Sequence, residues 1–155
     1  MDLKTFTQKK ICVAISGGVD SVALLHYLKS QEKACEYFLS AVHCEHGIRG
    51  EESVEDMRFV QEFCRALGVE LHVFKADCLS RAKRDKCSVE TAARAFRMES
   101  FGRLVKGGKA DFIATAHHQN DEAETVLFRI ARGAALSGAG GMKETDGNIL
   151  RPFLD

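Results

Sequence analysis

The chain has 155 residues, of which 45% are hydrophobic and 28% charged, with one proline and thirteen glycines; this is the composition of one globular domain and excludes disordered, collagen-like and linker classes. Lysine and arginine number 22 against 22 aspartates and glutamates, so the large positive excess of a protein that wraps nucleic acid non-specifically is missing. The longest useful apolar run, Ile11-Cys12-Val13-Ala14-Ile15, falls far short of the ~18 residues of a membrane span.

Residues 10–16 form a short apolar run with β-branched members and predict a buried strand. A helix follows over 20–29, with Val22, Leu25 and Leu28 at helical spacing. Residues 37–44 predict a second strand. Residues 51–67 predict a helix: Val54, Met57, Val60, Phe63, Cys64 and Leu67 make one stripe, Glu51, Glu52, Glu55 and Asp56 favour its N-terminus, and Gly68 can end it. Residues 70–75 predict a third strand. Ser88 can cap a helix running to about Val105, with Gly107-Gly108 as its stop. A fourth strand over 111–116 and a helix over 121–132 follow, then a small-residue, glycine-rich stretch from Gly133 to Gly141 and a fifth strand over 148–154. Alternating strands and helices with apolar strands predict an α/β fold: a doubly wound parallel sheet of about five strands, helices on both faces, ligands at the carboxyl ends of the strands.

The N-terminus, Met1 to Lys10, has no apolar stretch of signal-peptide length, which predicts a cytoplasmic protein with no membrane partner. Six cysteines at positions 12, 35, 44, 64, 78 and 87 include no C-x-x-C pair and predict free thiols in a reducing compartment. A zinc site from His43, Cys44 and His46 would lack a second ligand pair. Between Arg81 and Arg97, Arg81, Lys83, Arg84, Lys86, Arg94 and Arg97 face only Asp85 and Glu90. That stretch is a candidate phosphate-contacting face; helix ion pairs at a solvated surface are the alternative.

Chemistry concentrates where the first strand meets its helix, in Ser16-Gly17-Gly18-Val19-Asp20-Ser21. Adjacent glycines let backbone N–H groups approach an anion, the two serines add hydroxyls, and the helix N-terminus adds partial positive charge. Neither the Walker A spacing with its lysine nor G-x-G-x-x-G is present. An acidic Asp20 inside a phosphate cradle is sensible if Mg²⁺ accompanies the phosphates.

This loop resembles the S-G-G-x-D-S loop of the PP-loop ATP pyrophosphatases. The segment His43-Cys44-Glu45-His46-Gly47-Ile48-Arg49 resembles the N-H-G-L-R segment of the bacterial tRNA(Ile)-lysidine synthases within that superfamily. Residues 90–97 resemble their E-x-x-A-R-x-x-R helix, residues 116–125 their A-H-H-x-x-D-x-A-E-T segment, Arg132-Gly133 through Gly141-Met142 their glycine-rich loop, and Arg151-Pro152-Phe153-Leu154 their R-P-L-L. The similarity runs from about residue 10 to the C-terminus. Cys44-Glu45, Met98, Ala135 and Ala139 depart from the usual pattern; none of them removes a group assigned to chemistry.

The resemblance implies ATP held by Ser16, Gly17, Gly18, Val19, Asp20 and Ser21 with His46 and Arg94, and Mg²⁺ on Asp20 and Asp121. It implies catalytic Asp20, His117 and Asp121, with Arg49, Arg97, His118 and Arg132 towards the tRNA substrate. Read as residues alone, Asp121 also suits a helix cap completed by Glu124, His117 and His118 suit structural bonds to carbonyls, and Arg94 with Arg97 suit surface ion pairs. The implied activity is ligation of free L-lysine to the wobble cytidine of isoleucine tRNA with a CAU anticodon, through an adenylated base. Residues 1–155 are then the ATP-binding catalytic domain, and the tRNA-gripping C-terminal domains of the family are absent. Two alternatives are a PP-loop tRNA thiolase, whose iron–sulfur members carry the C-x-x-C pairs missing here, and a nucleotide-binding module without catalysis.

Overall fold

The computed structural model describes residues 1–48, 50–116 and 144–153. A 3₁₀ turn, Leu3–Phe6, leads into strand β1, Lys10–Ala14, and helix α1, Val19–Cys35. Strand β2, Phe38–Glu45, helix α2, Glu51–Leu67, and strand β3, Glu70–Lys75, follow. Helices α3, Cys78–Asp85, and α4, Val89–Lys106, return the chain to strand β4, Phe112–Ala114; strands β5, Thr145–Asp146, and β6, Ile149–Leu150, complete the sheet.

The sheet order is β3-β2-β1-β4-β6-β5. Every neighbouring pair is parallel except β5 with β6, a small antiparallel hairpin turning at Gly147. The chain therefore winds from β1 to β2 to β3, then crosses back to β4 on the other side of β1. Such a reversal opens a crevice at the carboxyl ends of β1 and β4, where open α/β sheets bind ligands.

Side chains alternate across the strands and separate two cores. On one face Ile11, Val13 and Ile15 pack with Leu24, Leu25 and Leu28 of α1 and Val60 and Cys64 of α2. On the other face Cys12, Val42 and Ile113 pack with Phe101 and Leu104 of α4. The doubly wound arrangement follows from this division: α1 and α2 cover one face, α4 the other.

Local signals set most ends. Ser88 accepts from the Thr91 N–H at 3.1 Å and caps α4. Gly68, at φ 65°, closes α2 by donating to Arg65 O. Helix α1 runs six residues beyond Lys29: Gln31, Glu32, Lys33 and Ala34 are good helix formers, and Glu32 is held by Lys29 at 2.6 Å and by the Leu39 N–H at 3.1 Å. Helix α3 was hidden by its charges; Asp77 caps it through the Ser80 N–H, and only Cys78 and Ala82 are buried. Val54 lies outside the buried stripe of α2 and is 53% exposed. The last strand is confined to Ile149–Leu150 and gains the hairpin partner β5. The helix expected over 121–132, the glycine-rich stretch up to Gly141 and Leu154 lie outside the described residues.

Candidate functional site

The last rung between β1 and β2 is the Ile15 N–H to Val42 O, at 2.9 Å. Beyond it the loop turns through Gly17, at φ 96°, a conformation that side chains rarely adopt. Gly18 is the N-cap of α1 and offers no side-chain cap. The opening N–H groups of α1 therefore point out of the carboxyl edge of the sheet uncapped by a side chain, as an anion site requires. Helices α3 and α4 are capped by Asp77 and Ser88, whereas α2, like α1, begins at a glycine without a side-chain cap.

The two serines of the loop have different tasks. Ser21 is buried; its Oγ accepts from the Ser16 N–H at 3.1 Å and donates to Gly18 O at 2.8 Å. Its hydroxyl is used inside the loop and shapes it. Ser16 is exposed, and its Oγ receives the Gly18 N–H at 3.3 Å and lies 3.2 Å from Ser21 Oγ. Val19 and Asp20 are exposed on the first turn of α1, and Asp20 is the acidic residue of that turn.

A second carboxylate stands beside the loop. A Cβ added at Gly17 would lie 3.5 Å from Asp56 Oδ1 and 3.6 Å from Asp56 Cβ. In the sequence Asp56 belongs only to the acidic start of α2; no spacing signals that this turn of α2 reaches the loop after β1.

The loop after β2 is pinned to the end of β3. The Ala76 N–H donates to Glu45 O and the Cys78 N–H to His46 O, each at 3.0 Å. Gly47, at φ 67°, lets the chain pass Ala76, whose carbonyl oxygen would be 3.1 Å from any Cβ there. His46 is thereby fixed at the carboxyl edge, half-buried, with its ring edge-on to Phe96 of α4. Its Nδ1 is 3.9 Å from Cys78 Sγ. Burial, then the charge of Arg97 and the neighbouring His43, hold the His46 imidazole below its ordinary pKa. So the structure brings His46 and Arg97 to one place, although 51 positions separate them in sequence.

Arg94 and Arg97 are exposed on α4, three apart on one side of the helix. Neither is engaged in an ion pair among the described residues, unlike the first part of the basic stretch. Arg81 binds Glu99 and Asp85, and Arg84 binds Asp85. The ion-pair alternative describes Arg81 and Arg84.

The six cysteines are free. Burial pushes the Cys12 thiol up to about 12 and Cys64 to about 11, and raises Cys44 and Cys78, so these sulfurs are protonated thiols at neutral pH. The His43 ring is turned to the carbonyl of Ile15. Among the described residues no group of three His, Cys, Asp or Glu side chains is placed to hold a metal ion, and no helix is long and apolar enough to cross a membrane. Arg49, His117, His118, Asp121 and Arg132 lie outside the described residues. The pairing of β1 with β4 nevertheless brings the strand that leads to residue 117 beside the strand that leads to the loop.

A parallel sheet reversing at β1, with an uncapped helix and a glycine loop at its carboxyl edge, defines a nucleotide-binding α/β domain. Residues 2–155 match the PP-loop domain family, and the chain belongs to it. That membership supports ATP binding by the domain. Among curated relatives, the tRNA(Ile)-lysidine synthase of Thermosipho africanus is 45% identical over 148 residues, covering 94% of this chain and 34% of its own length. Those of Bacteroides thetaiotaomicron and Chlorobaculum tepidum are each 41% identical, covering 94% and 93% of this chain and 33% and 44% of theirs. The chain thus spans less than half the length of these relatives. Among solved structures, the U34-tRNA thiolase NcsA from Methanococcus maripaludis, with its [4Fe-4S] cluster, superposes with a TM-score of 0.75 over 94% of this chain and 51% of that one. At 21% identity this is a likeness of fold.

Proposed function

We propose that the chain is the ATP-using catalytic domain of a tRNA(Ile)-lysidine synthase. In that reaction the O2 of the wobble cytosine of a CAU-anticodon isoleucine tRNA is adenylated with release of pyrophosphate. An amino group of free L-lysine then displaces AMP. The observation that carries the reading is the uncapped start of α1 behind Ser16-Gly17-Gly18, together with 41–45% identity to lysidine synthases along almost the whole chain.

The residues divide the work. Backbone N–H groups of the loop and the Ser16 hydroxyl hold phosphate oxygens. They are preorganised donors for the charge that develops on the leaving pyrophosphate. A carboxylate in such a cradle repels phosphate unless a cation lies between them. Asp20, exposed on the first turn of α1, suits a magnesium ligand for that reason, and Asp121 is its proposed companion. Mg²⁺ bound there would neutralise phosphate charge. Neutral His46 at the carboxyl edge is proposed for the nucleotide and Arg94 for its phosphates. Arg97, Arg49, His118 and Arg132 are proposed for the tRNA, and His117 for catalysis. The target base sits in a single-stranded anticodon loop, from which it can be turned into a pocket.

The test is incorporation of radiolabelled lysine into isoleucine tRNA. ATP-dependent incorporation with release of pyrophosphate is the expected result. Pyrophosphate release with sulfur transfer and no lysine incorporation would favour a thiolase; ATP binding without pyrophosphate release would leave a binding module.

A further inference from the structure

We infer that His43 is a positioning residue for the phosphate loop. Its side chain comes from β2, is 4% exposed, and places Nδ1 2.8 Å from the carbonyl oxygen of Ile15. A carbonyl oxygen can only accept, so Nδ1 carries the hydrogen and the ring is held in that tautomer or fully protonated. The Ile15 carbonyl belongs to the peptide unit that opens the loop. The N–H of the same unit, on Ser16, donates to Ser21 Oγ at 3.1 Å. One peptide plane is thus gripped at its oxygen by a side chain of β2 and at its nitrogen by a side chain of α1.

The position of that plane matters. The Ile15 N–H to Val42 O bond is the last rung between the two strands at this point. Past it, the Ile15 carbonyl turns to the His43 ring. Two residues later comes Gly17 at φ 96°, then Gly18 and the uncapped N-terminus of α1. A rotation of the Ile15–Ser16 plane would swing Gly17 and Gly18 with it. Holding the plane means that the loop donors are set before a phosphate arrives, so less ordering opposes binding. This inference rests on the reading of the loop as a phosphate site.

Three variants of the full chain test it. His43→Leu removes the donor and keeps an apolar side chain in the core. His43→Asn replaces it with an amide N–H close to where Nδ1 lies. Val69→Ala trims a buried side chain just before β3, at the amino edge of the sheet and away from the loop, and reports general destabilisation. Two readouts are taken: the affinity for ATP by calorimetry, and hydrogen exchange of the Ser16 amide by NMR in the ligand-free chain. In His43→Leu, ATP affinity should fall about tenfold and Ser16 exchange should accelerate. His43→Asn should recover both, and Val69→Ala should change neither selectively. Folded His43→Leu with wild-type exchange and affinity would overturn the inference. So would a Val69→Ala chain that reproduces both losses. Failure of the wild-type chain to bind ATP, with the exchange pattern as expected, would overturn the nucleotide reading and leave the grip of His43 on the loop supported.

Discussion

The ring of His46 stands edge-on to the ring of Phe96, with centroids 5.7 Å apart and planes at 85°. This contact joins the loop after β2 to the helix that carries Arg94 and Arg97, and it buries His46 enough to matter for its protonation. Burial is the largest influence, Arg97 and His43 add to it, and Glu45 opposes it. The imidazole is therefore neutral at neutral pH in the folded chain.

Stability should consequently fall on acidification. The folded-state pKa of His46 lies below its ordinary 6.5. Between those two values the unfolded chain binds the proton and the folded chain does not, so lowering the pH through this window favours unfolding. Urea unfolding at about pH 7.5 and about pH 5.5 should show wild type losing more stability than His46→Gln. Equal losses would mean that His46 is not held neutral.

Arg97 should be felt in two ways. Its charge lowers the His46 pKa, so Arg97→Gln should let the His46 NMR titration move back towards the ordinary histidine value. If Arg97 also meets a tRNA phosphate, the slope of log affinity against log salt should become shallower by about one. A titration that moves without a change in salt slope would confine Arg97 to an electrostatic role beside His46.

Gly17→Ala should weaken the loop because of its backbone rather than for want of space. Asp56 would be an ordinary van der Waals neighbour of the new Cβ at 3.5 Å, but φ is 96°. Holding a side chain in such a conformation costs about 1–3 kcal/mol. Thermal unfolding should report the loss. Gly18→Ala, at φ −70°, should be milder in stability and serves as the comparison.

Much of this architecture was legible in the chain because each signal was local. The apolar run before Ser16, the stripe of α2 ended by Gly68, and Ser88 ahead of α4 each specify their own element, and alternation implied the parallel sheet. What stayed hidden depends on packing between distant segments. Helix α3 buries only Cys78 and Ala82, too few apolar positions to stand out among its charges. Glu32 extends α1 through an interaction with Leu39 of the next strand, which no helical period encodes. The same holds at the site: Ser16-Gly17-Gly18 announces itself, whereas Asp56 beside Gly17 and His43 on Ile15 are known only once α2 and β2 lie against the loop.

Asp20→Ala should abolish pyrophosphate release while leaving thermal unfolding close to wild type, since the side chain is exposed on the first turn of α1. Nucleotide binding without added Mg²⁺ should be less affected than binding with it, because removing a carboxylate relieves repulsion of bare phosphate. Pyrophosphate released at the normal rate by this variant would end the assignment of Asp20 to the metal.

The two serines of the loop should separate in the same pair of assays. Ser21 is 6% exposed, and its Oγ is the acceptor for the Ser16 N–H at 3.1 Å. Ser21→Ala leaves that N–H without its partner, at a cost of about 1–3 kcal/mol. The Gly18 carbonyl suffers less, since it keeps the Val22 N–H at 3.1 Å. The variant should therefore unfold at lower temperature and lose ATP affinity as a consequence of a loosened loop. Ser16 is exposed, and its hydroxyl can exchange the 3.2 Å contact with Ser21 Oγ for one to a ligand phosphate. Ser16→Ala should leave thermal unfolding nearly unchanged and weaken ATP binding by about 1 kcal/mol, the worth of one neutral hydrogen bond. Stability measured by calorimetric scan and ATP affinity by titration give each variant a position on two axes. Ser21→Ala should move along both, Ser16→Ala along affinity alone. If Ser16→Ala instead lowers stability as much as Ser21→Ala and leaves affinity unchanged, the Ser16 hydroxyl belongs to the fold of the loop and not to its ligand.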